Sequence, residues 1–227
     1  MMKGDLRKKQ ILETAEMLFT ERGYDQTGVQ DILDRLNLSK GSFYHHFESK
    51  ALVLQTICEG RAEKAAKSLA PAGQSESGLQ WMNRLLSGMI PFAGEGLAFL
   101  RMLLPVLAMP EGQSILAAYQ AALKQAWAPM ILSALQRMTA EGDAFSFYPE
   151  ETASILADLV NDLWVRMSQE ITRQGGQEMD RAFLGRLMIP VDAYRASIEN
   201  LISAPYGSIE LVNLETLAAT AEKLKQA

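Results

Sequence analysis

Apolar residues recur every three or four positions along most of the chain, and no stretch sustains the apolar–polar alternation that marks a strand. Spacing of this kind is typical of helices that bury one face. It predicts helices at residues 6–22, 27–36, 39–47, 50–69, 79–91, 95–108, 112–140, 150–174, 180–188, 191–203 and 213–225. The pattern therefore predicts an all-α protein.

Loop-forming residues divide these helices into two groups. Residues 68–78 are rich in alanine, glycine and serine and predict a linker or loop. We expect a small head at residues 1–50, a connecting helix at 50–69 and a larger helical domain at 70–227.

Prolines support several of the predicted breaks, because proline removes a helical hydrogen bond and clashes with the preceding turn. Two prolines, Pro105 and Pro129, fall inside predicted helices, where we expect kinks or breaks. The prolines that fall between predicted helices are Pro91, Pro110, Pro149, Pro190 and Pro205.

Residues 27–50 combine two short helical patterns with the start of a third helix. Thr27 is a good N-cap, and with Gln30 three residues later it matches a capping box. Asn37 tolerates a positive φ and can form the tight turn between the first two helices. Ser39 and Ser49 are the expected caps of the two helices that follow.

The helix after Ser39 is too polar on one side to be buried. Phe43 and Phe47 are four residues apart and can point inward together, whereas Lys40, Ser42, Tyr44, His45 and His46 cannot all be buried with them. A helix, a tight turn and a short helix with a polar outer face meet the requirements of a helix-turn-helix that enters the DNA major groove. Gly41 would let the backbone come close to the nucleic acid.

Specific motifs make this segment resemble the N-terminal domain of the tetracycline-repressor (TetR) family, over about residues 8–60. They are Gly23-Tyr24, Thr27, the run Val29 to Ile32, the run Leu38 to Phe47, and Ser49-Lys50. The resemblance implies an N-terminal three-helix helix-turn-helix DNA-binding domain and a larger C-terminal helical domain for ligand binding and dimerisation.

The resemblance also implies roles for single residues. Ser39 is counted among the DNA-binding residues. Those that match phosphate-contacting positions are Thr27, Tyr44, His46 and Lys50. Those that match positions near bases or backbone in the groove are Gln30, Lys40, Gly41, Ser42 and His45. Gln30 often is arginine in the family, and glutamine suits adenine better than arginine does.

Several of these residues have a second interpretation. Gln30 could only close the capping box with Thr27. Arg7, Lys8 and Lys9 could be a solvated helix end or phosphate contacts. His45 and His46 as metal ligands are disfavoured, because adjacent helical positions point about 100° apart and no third ligand motif accompanies them. We therefore predict no metal site.

In the larger domain, the resemblance implies an effector cavity and a dimer interface. Methionine and aromatic residues form adaptable apolar walls, although most at helical spacing belong to a core. The candidate ligand-binding residues are Trp81, Phe92, Phe99, Met102, Trp127 and Met130. The candidate dimer residues, on two late helices, are Leu156, Val160, Leu163, Trp164, Met167, Tyr194, Ile198 and Leu201. The terminal helix at 213–225 has no assigned role.

Composition modifies this picture only slightly. The chain has 227 residues, of which 22 are Lys/Arg and 27 are Asp/Glu, so its net charge is −5. Residues 1–50 hold eight of each sign and are neutral. The single cysteine, Cys58, excludes an intrachain disulfide and suits a reducing cytoplasm. The N-terminus lacks a signal-peptide pattern, and the apolar run at 97–109 is too short to span a membrane.

The sequence thus predicts a ligand-responsive transcriptional regulator, a homodimeric repressor released from a palindromic double-stranded DNA operator by a small apolar molecule. Two alternatives are a DNA-binding activator without a ligand, and a helical protein-binding adaptor that has lost DNA binding. An enzyme is disfavoured, since Cys58 has no histidine outside 45–46 to activate it and no phosphate loop or carboxylate pair is present. We expect no cofactor, no membrane partner and a cytoplasmic location.

Overall fold

The computed structural model describes residues 3–69, 71–73, 75–92, 94–174 and 180–225. Within these ranges all regular structure is helical, which confirms the all-α prediction. The helices are α1 (Lys3–Arg22), α2 (Val29–Leu36), α3 (Lys40–Tyr44), α4 (Lys50–Ser68), α5 (Gly78–Met89), α6 (Gly94–Val106), α7 (Gly112–Glu141), α8 (Pro149–Gln174), α9 (Arg181–Leu201) and α10 (Leu214–Lys225).

Helices α1 to α3 enclose a small core of their own. Ile11 and Phe19 of α1, Ile32 of α2, and Phe43 and Phe47 around α3 are all buried. Burying a side chain of this size stabilises the fold by about 1.5–3 kcal/mol. The three helices therefore hold one another, and the short helices α2 and α3 would be marginal in water on their own.

Helix α4 joins this head to the rest of the chain. It packs against α1 on one side and α7 on another, and buries Val53, Leu54 and Ile57. Cys58 is also buried, and burial raises the pKa of its thiol to about 12. A thiol with this pKa is not a nucleophile at neutral pH, as the sequence predicted.

Helix α7 is the centre of the larger domain, which we call the body. It packs against α4, α5 and α8. Its Trp127 is buried in the same core as Trp164 of α8. Pro129 lies within this continuous helix, and Pro105 lies within α6. No break occurs at either proline in the described helices, so the part of the prediction that allowed a break is wrong.

Pro190 also corrects the sequence analysis. Two helices were predicted, at 180–188 and 191–203, but one helix, α9, runs from Arg181 to Leu201 through the proline. Buried Leu187 and Val191 flank the proline and face the body. Proline removes one helical hydrogen bond, and the packing on both sides of Pro190 compensates for that loss.

The terminal helix α10, which the sequence could not place, packs against α8 and α9. Its Leu217 is fully buried, and the Thr220 hydroxyl donates to the Phe92 carbonyl at 2.8 Å. Among the described residues, no helix is both long and apolar enough to cross a membrane.

Gly78, the first residue of α5, provides a test of this packing. A Cβ at Gly78 would lie 2.5 Å from the Met138 backbone nitrogen of α7. Gly78→Ala should destabilise the protein by about 1–3 kcal/mol, the usual cost of overpacking. Denaturant unfolding would measure it.

Gly60→Ala in α4 is the matched control, because a Cβ there meets nothing within 4 Å. It should leave stability unchanged or raise it by up to about 1 kcal/mol, since alanine is the better helix former. Equal effects of the two substitutions would contradict the described α5–α7 contact.

Candidate nucleic-acid interface

The turn between α2 and α3 is built as the sequence predicts. Asn37 adopts the left-handed conformation, with φ 51° and ψ 51°, and Leu38 then donates to the Leu33 carbonyl at 2.9 Å. The Ser39 hydroxyl accepts from the Ser42 backbone N–H and caps α3. The first two residues of α3 are exposed.

The polar face of α3 is exposed, as predicted. Phe43 is buried beneath it, and Tyr44 is 55% exposed. His45 and His46 stack edge to face with ring centroids 5.0 Å apart. The exposed candidates here are Ser39, Lys40, Gly41, Tyr44 and His45, and the half-buried ones are Ser42 and His46. In the described part of the chain, no set of three or more His, Cys, Asp or Glu could hold a metal ion.

Gln30 does not close a capping box. Gly28 is the N-cap of α2, and the Asp31 carboxylate accepts from the Gly28 N–H at 2.7 Å. Gln30 is exposed on α2 and donates to Asp34 at 2.7 Å. The interpretation of Gln30 as a helix cap is therefore wrong, and its amide remains at the surface beside α3.

Thr27 is the clearest correction within the head. It was predicted to cap α2 and, by resemblance, to contact a phosphate. Its side chain is instead fully buried, and its hydroxyl donates to the Gly23 carbonyl at 2.8 Å and lies 3.4 Å from the Leu18 carbonyl. In this conformation Thr27 presents no side-chain group to DNA, and it holds the end of α1 to the start of α2.

Lys50 is also held within the fold. Its ammonium donates to the carbonyls of Tyr24 at 2.8 Å and Thr27 at 3.0 Å, and it lies 4.0 Å from the centre of the Tyr24 ring. Burial lowers the pKa of Lys50, while Asp25 and Glu111 oppose this shift. A lysine has three donors, so one remains for a phosphate.

The contact between Tyr24 and the body was not predicted from the sequence. The Tyr24 hydroxyl donates to the Glu111 carboxylate at 3.1 Å, across 87 residues of chain. Glu111 is placed by a tight turn in which Gly112 lies so close to the Val106 carbonyl that a Cβ would clash. One bonded series thus runs from Glu111 through Tyr24 to Lys50.

Helix α1 supplies a further cation beside the candidate surface. The Lys8 ammonium lies 5.6 Å from the centre of the Phe47 ring, and Gly4 lies close to the His46 ring. The start of α1 is therefore adjacent to the end of α3. Arg7 is half-buried and bonded to Gln10, whereas Lys9 pairs with Glu13.

The six candidate ligand residues do not line one cavity. Trp81 and Met130 face a groove between α4, α5 and α7. Phe99 lines a second cavity, Phe92 a third and Met102 a fourth. Trp127 lines none of these four and is fully buried, so the six candidates are spread over separate sites.

Most of the candidate dimer residues belong to the protein's own core. Tyr194 is half-buried and donates to Asp162, and Leu201 is exposed. The remaining six face inward and cannot contact a partner in this conformation: Leu156, Val160, Leu163, Trp164, Met167 and Ile198. The apolar periodicity identified both helical regions, although not the continuity of α9 through Pro190, and it took the inward face of each for the outward one.

Comparison with known proteins agrees with the geometry of the head. Residues 11–57 match the family model of bacterial regulatory proteins of the tetR family. The uncharacterized HTH-type transcriptional regulator YerO of Bacillus subtilis (strain 168) is 40% identical over 53 residues, which are 23% of this chain and 18% of YerO. The HTH-type transcriptional repressor KstR2 of Rhodococcus jostii (strain RHA1) is 43% identical over 54 residues, 24% of this chain and 26% of KstR2.

These matches span well under two thirds of either relative and concern the head. The fold of the body has a separate comparison. A solved structure of a TetR-family transcriptional regulator from Mesorhizobium loti MAFF303099 superposes with a TM-score of 0.54 and 21% identity, over 87% of this chain and 98% of that one. At this identity the likeness shows a shared fold.

Thr27→Val tests whether this side chain acts in folding. Removing the hydroxyl takes the side-chain donor from the half-buried Gly23 carbonyl and ends the contact with the Leu18 carbonyl, so we expect a loss of about 1–3 kcal/mol of stability. Denaturant unfolding of the purified protein would measure it.

Thr20→Val is the control, because the Thr20 hydroxyl bonds the Glu16 carbonyl at an exposed site in α1. It should change stability by less than about 0.5 kcal/mol. If Thr27→Val is as stable as Thr20→Val, the buried role of Thr27 is wrong.

Proposed function

The chain carries, at residues 11–57, the domain of the tetR family of bacterial regulatory proteins, and on this premise we propose that it is a DNA-binding transcriptional repressor. It acts as a homodimer on a palindromic operator and is released by a small molecule bound in the body. The observation that carries the proposal is the exposed polar face of α3, built on a buried helix-turn-helix core. Its target, bacterial DNA, implies a cytoplasmic location.

In this proposal α3 lies in the major groove. Lys40, Ser42 and His45 contact base edges, while Tyr44 and the remaining N–H donor of Lys50 bind phosphates. Gln30, at the surface of α2, can approach a base beside α3. Lys8 of α1 extends the phosphate-binding surface past His46.

The acidic total charge does not oppose this function. Residues 1–50 hold eight Lys/Arg and eight Asp/Glu, so the excess of acidic groups lies in residues 51–227. DNA binding requires cations on one face of a head rather than a basic total. Repulsion between the acidic body and DNA would favour docking through the head alone.

Dimerisation uses the outward side of α8 and α9, which we call the outer face. Ile189 of α9 is 66% exposed, and Ile155 of α8 and Leu201 of α9 are exposed as well. Tyr194 contacts Asp162, and the Phe145 N–H before α8 donates to the Ile202 carbonyl after α9, so the two helices run antiparallel and Ile155 and Leu201 lie near the same end. A two-fold pairing of this face would set two heads about one DNA turn apart, roughly 34–36 Å or a multiple.

Release by a ligand requires that the body and head share a contact that can change. The Glu111–Tyr24 hydrogen bond is such a contact, because the backbone carbonyl and the ring of Tyr24 both contact the Lys50 ammonium. Packing of α6 on α1 supplies a second connection. A ligand that prefers one arrangement of these contacts can shift DNA affinity by about 1–3 kcal/mol of coupling.

Tyr44→Ala tests the DNA-binding surface. The hydroxyl is exposed and free to bond a phosphate, so the substitution should weaken DNA binding by about 1.5–3 kcal/mol and leave unfolding unchanged. The measurement uses DNA that the purified protein selects from a random pool, at fixed salt.

Tyr148→Ala is the control. Tyr148 is 72% exposed and lies in the connection from α7 to α8, at the end of α7 that is remote from the head. Helix α7 is roughly 45 Å long. It should bind DNA as the unmodified chain does. Equal affinities of the two variants, or failure to select any DNA, would overturn the proposal in favour of a protein-binding adaptor.

Ile189→Glu tests the outer face. A charge at this exposed apolar residue would be buried without a partner in the dimer, so it should convert the dimer to a monomer, and light scattering would show half the mass. Leu6→Glu, at an exposed apolar residue of α1, should leave the mass unchanged. A dimer that persists in Ile189→Glu would place the interface elsewhere.

A further inference from the structure

One cavity of the body has a charged mouth and an aromatic wall, and we call it the Arg61 cavity. It has a volume of about 410 Å³, within the range of roughly 300–1,000 Å³ typical of ligand pockets. It lies between α4, the end of α5, the start of α6, and α7. The residues that define it are Arg61, Lys64, Leu69, Glu95, Phe99 and Tyr119.

The mouth of the Arg61 cavity is closed by one carboxylate between two cations. The Glu95 carboxylate accepts from Lys64 at 2.7 Å and from Arg61 at 3.1 Å. The hydrogen bond from Lys64, with the charges of Lys64 and Arg61, lowers the pKa of Glu95. The Glu95 side chain is 72% exposed, so an exposed ion pair of low net stability closes the cavity.

The wall of the cavity offers an unused donor. Tyr119 is 5% exposed, and its hydroxyl makes no hydrogen bond with any residue that the structure describes. Burial raises the pKa of Tyr119, so the hydroxyl keeps its proton at neutral pH. Phe99 stands between this ring and Arg61, with its centre 5.4 Å from that of Tyr119 and 5.6 Å from the guanidinium.

These groups together specify the chemistry of a ligand. Two cations attract an anion, and arginine pairs well with a planar carboxylate. Phe99 and Leu69 suit an apolar body, and Tyr119 donates a hydrogen bond. We propose that the Arg61 cavity binds a small organic carboxylate with an apolar body, whose carboxylate takes the place of Glu95 between Arg61 and Lys64.

Arg61 also connects this cavity to the head. Its Nε donates to the Glu16 carboxylate of α1, while its terminal nitrogen donates to Glu95 of α6. A ligand carboxylate in the place of Glu95 shares the guanidinium with Glu16, so a shift of Arg61 toward the ligand would weaken its contact with α1. This step rests on the proposed function, and it makes the bound carboxylate a signal that loosens α1 from α4.

The binding test uses octanoate, 1-octanol and octylamine as probes, which share an apolar chain and differ in their head group. Calorimetry on the full chain without DNA should show one octanoate per chain, with 1-octanol at least tenfold weaker and octylamine not bound. Equal binding of octanoate and 1-octanol would overturn the carboxylate assignment.

Three substitutions at exposed sites should change the affinity for octanoate in different directions. Glu95→Gln removes the competing charge and should tighten octanoate binding several-fold, whereas Lys64→Gln should weaken it several-fold. Lys67→Gln, on the same helix but paired with Glu63 away from this cavity, should leave it unchanged. Weaker binding by Glu95→Gln, or equal effects of Lys64→Gln and Lys67→Gln, would disprove the site.

The link to the head is tested separately with DNA selected by the protein. Octanoate should weaken DNA binding by roughly 5–150-fold, and Glu16→Gln should reduce that effect while octanoate still binds. Octanoate binding without any change in DNA affinity would overturn the regulatory link alone. If the protein selects no DNA, the proposed function fails while the calorimetric result still decides the cavity.

Discussion

The ammonium group of Lys50 is the point at which the parts of the head are held together. It donates to two carbonyls in the segment between α1 and α2, and it lies on the ring of Tyr24. The same segment is fixed from within by the buried hydroxyl of Thr27. Since α3 packs on α2, and Lys50 begins α4, the orientation of the polar face depends on this group. Exposed ion pairs contribute little, but a half-buried ammonium with two carbonyl acceptors and an aromatic face is confined to one position.

Local signals predicted the parts of the fold that are decided locally. Asn37 takes the left-handed conformation, and Ser39 and Ser49 cap their helices as predicted, because each choice depends on a few neighbouring backbone groups. Thr27 and Gln30 matched the capping-box pattern equally well, yet Gly28 and Asp31 form the cap. Because Thr27 is buried, its side chain is not available to cap α2. That burial depends on contacts with α1, which the capping-box pattern does not contain.

There is a physical reason why the sequence could not predict the longer-range features. An apolar stripe shows which face of a helix avoids water, but not whether its cover is the same chain or a second one. Leu163 and Trp164 face the body, while Ile189 remains uncovered. The ligand candidates, chosen by composition, are spread over separate cavities. The contacts of Tyr24 with Glu111 and of Arg61 with Glu16 and Glu95 join residues far apart in sequence, and no periodicity encodes them.

The contact between Tyr24 and Glu111 has a consequence for exchanging heads between related proteins. A transplanted head would bring its own equivalent of Tyr24 and meet the Glu111 of the host body. Where that equivalent lacked a hydroxyl, the carboxylate would lose its bonded partner and the graft would be free to tilt. A chimera could then read its DNA correctly and still ignore the host's signal. Successful grafts should therefore transfer the tyrosine and the turn that presents Glu111 as one unit.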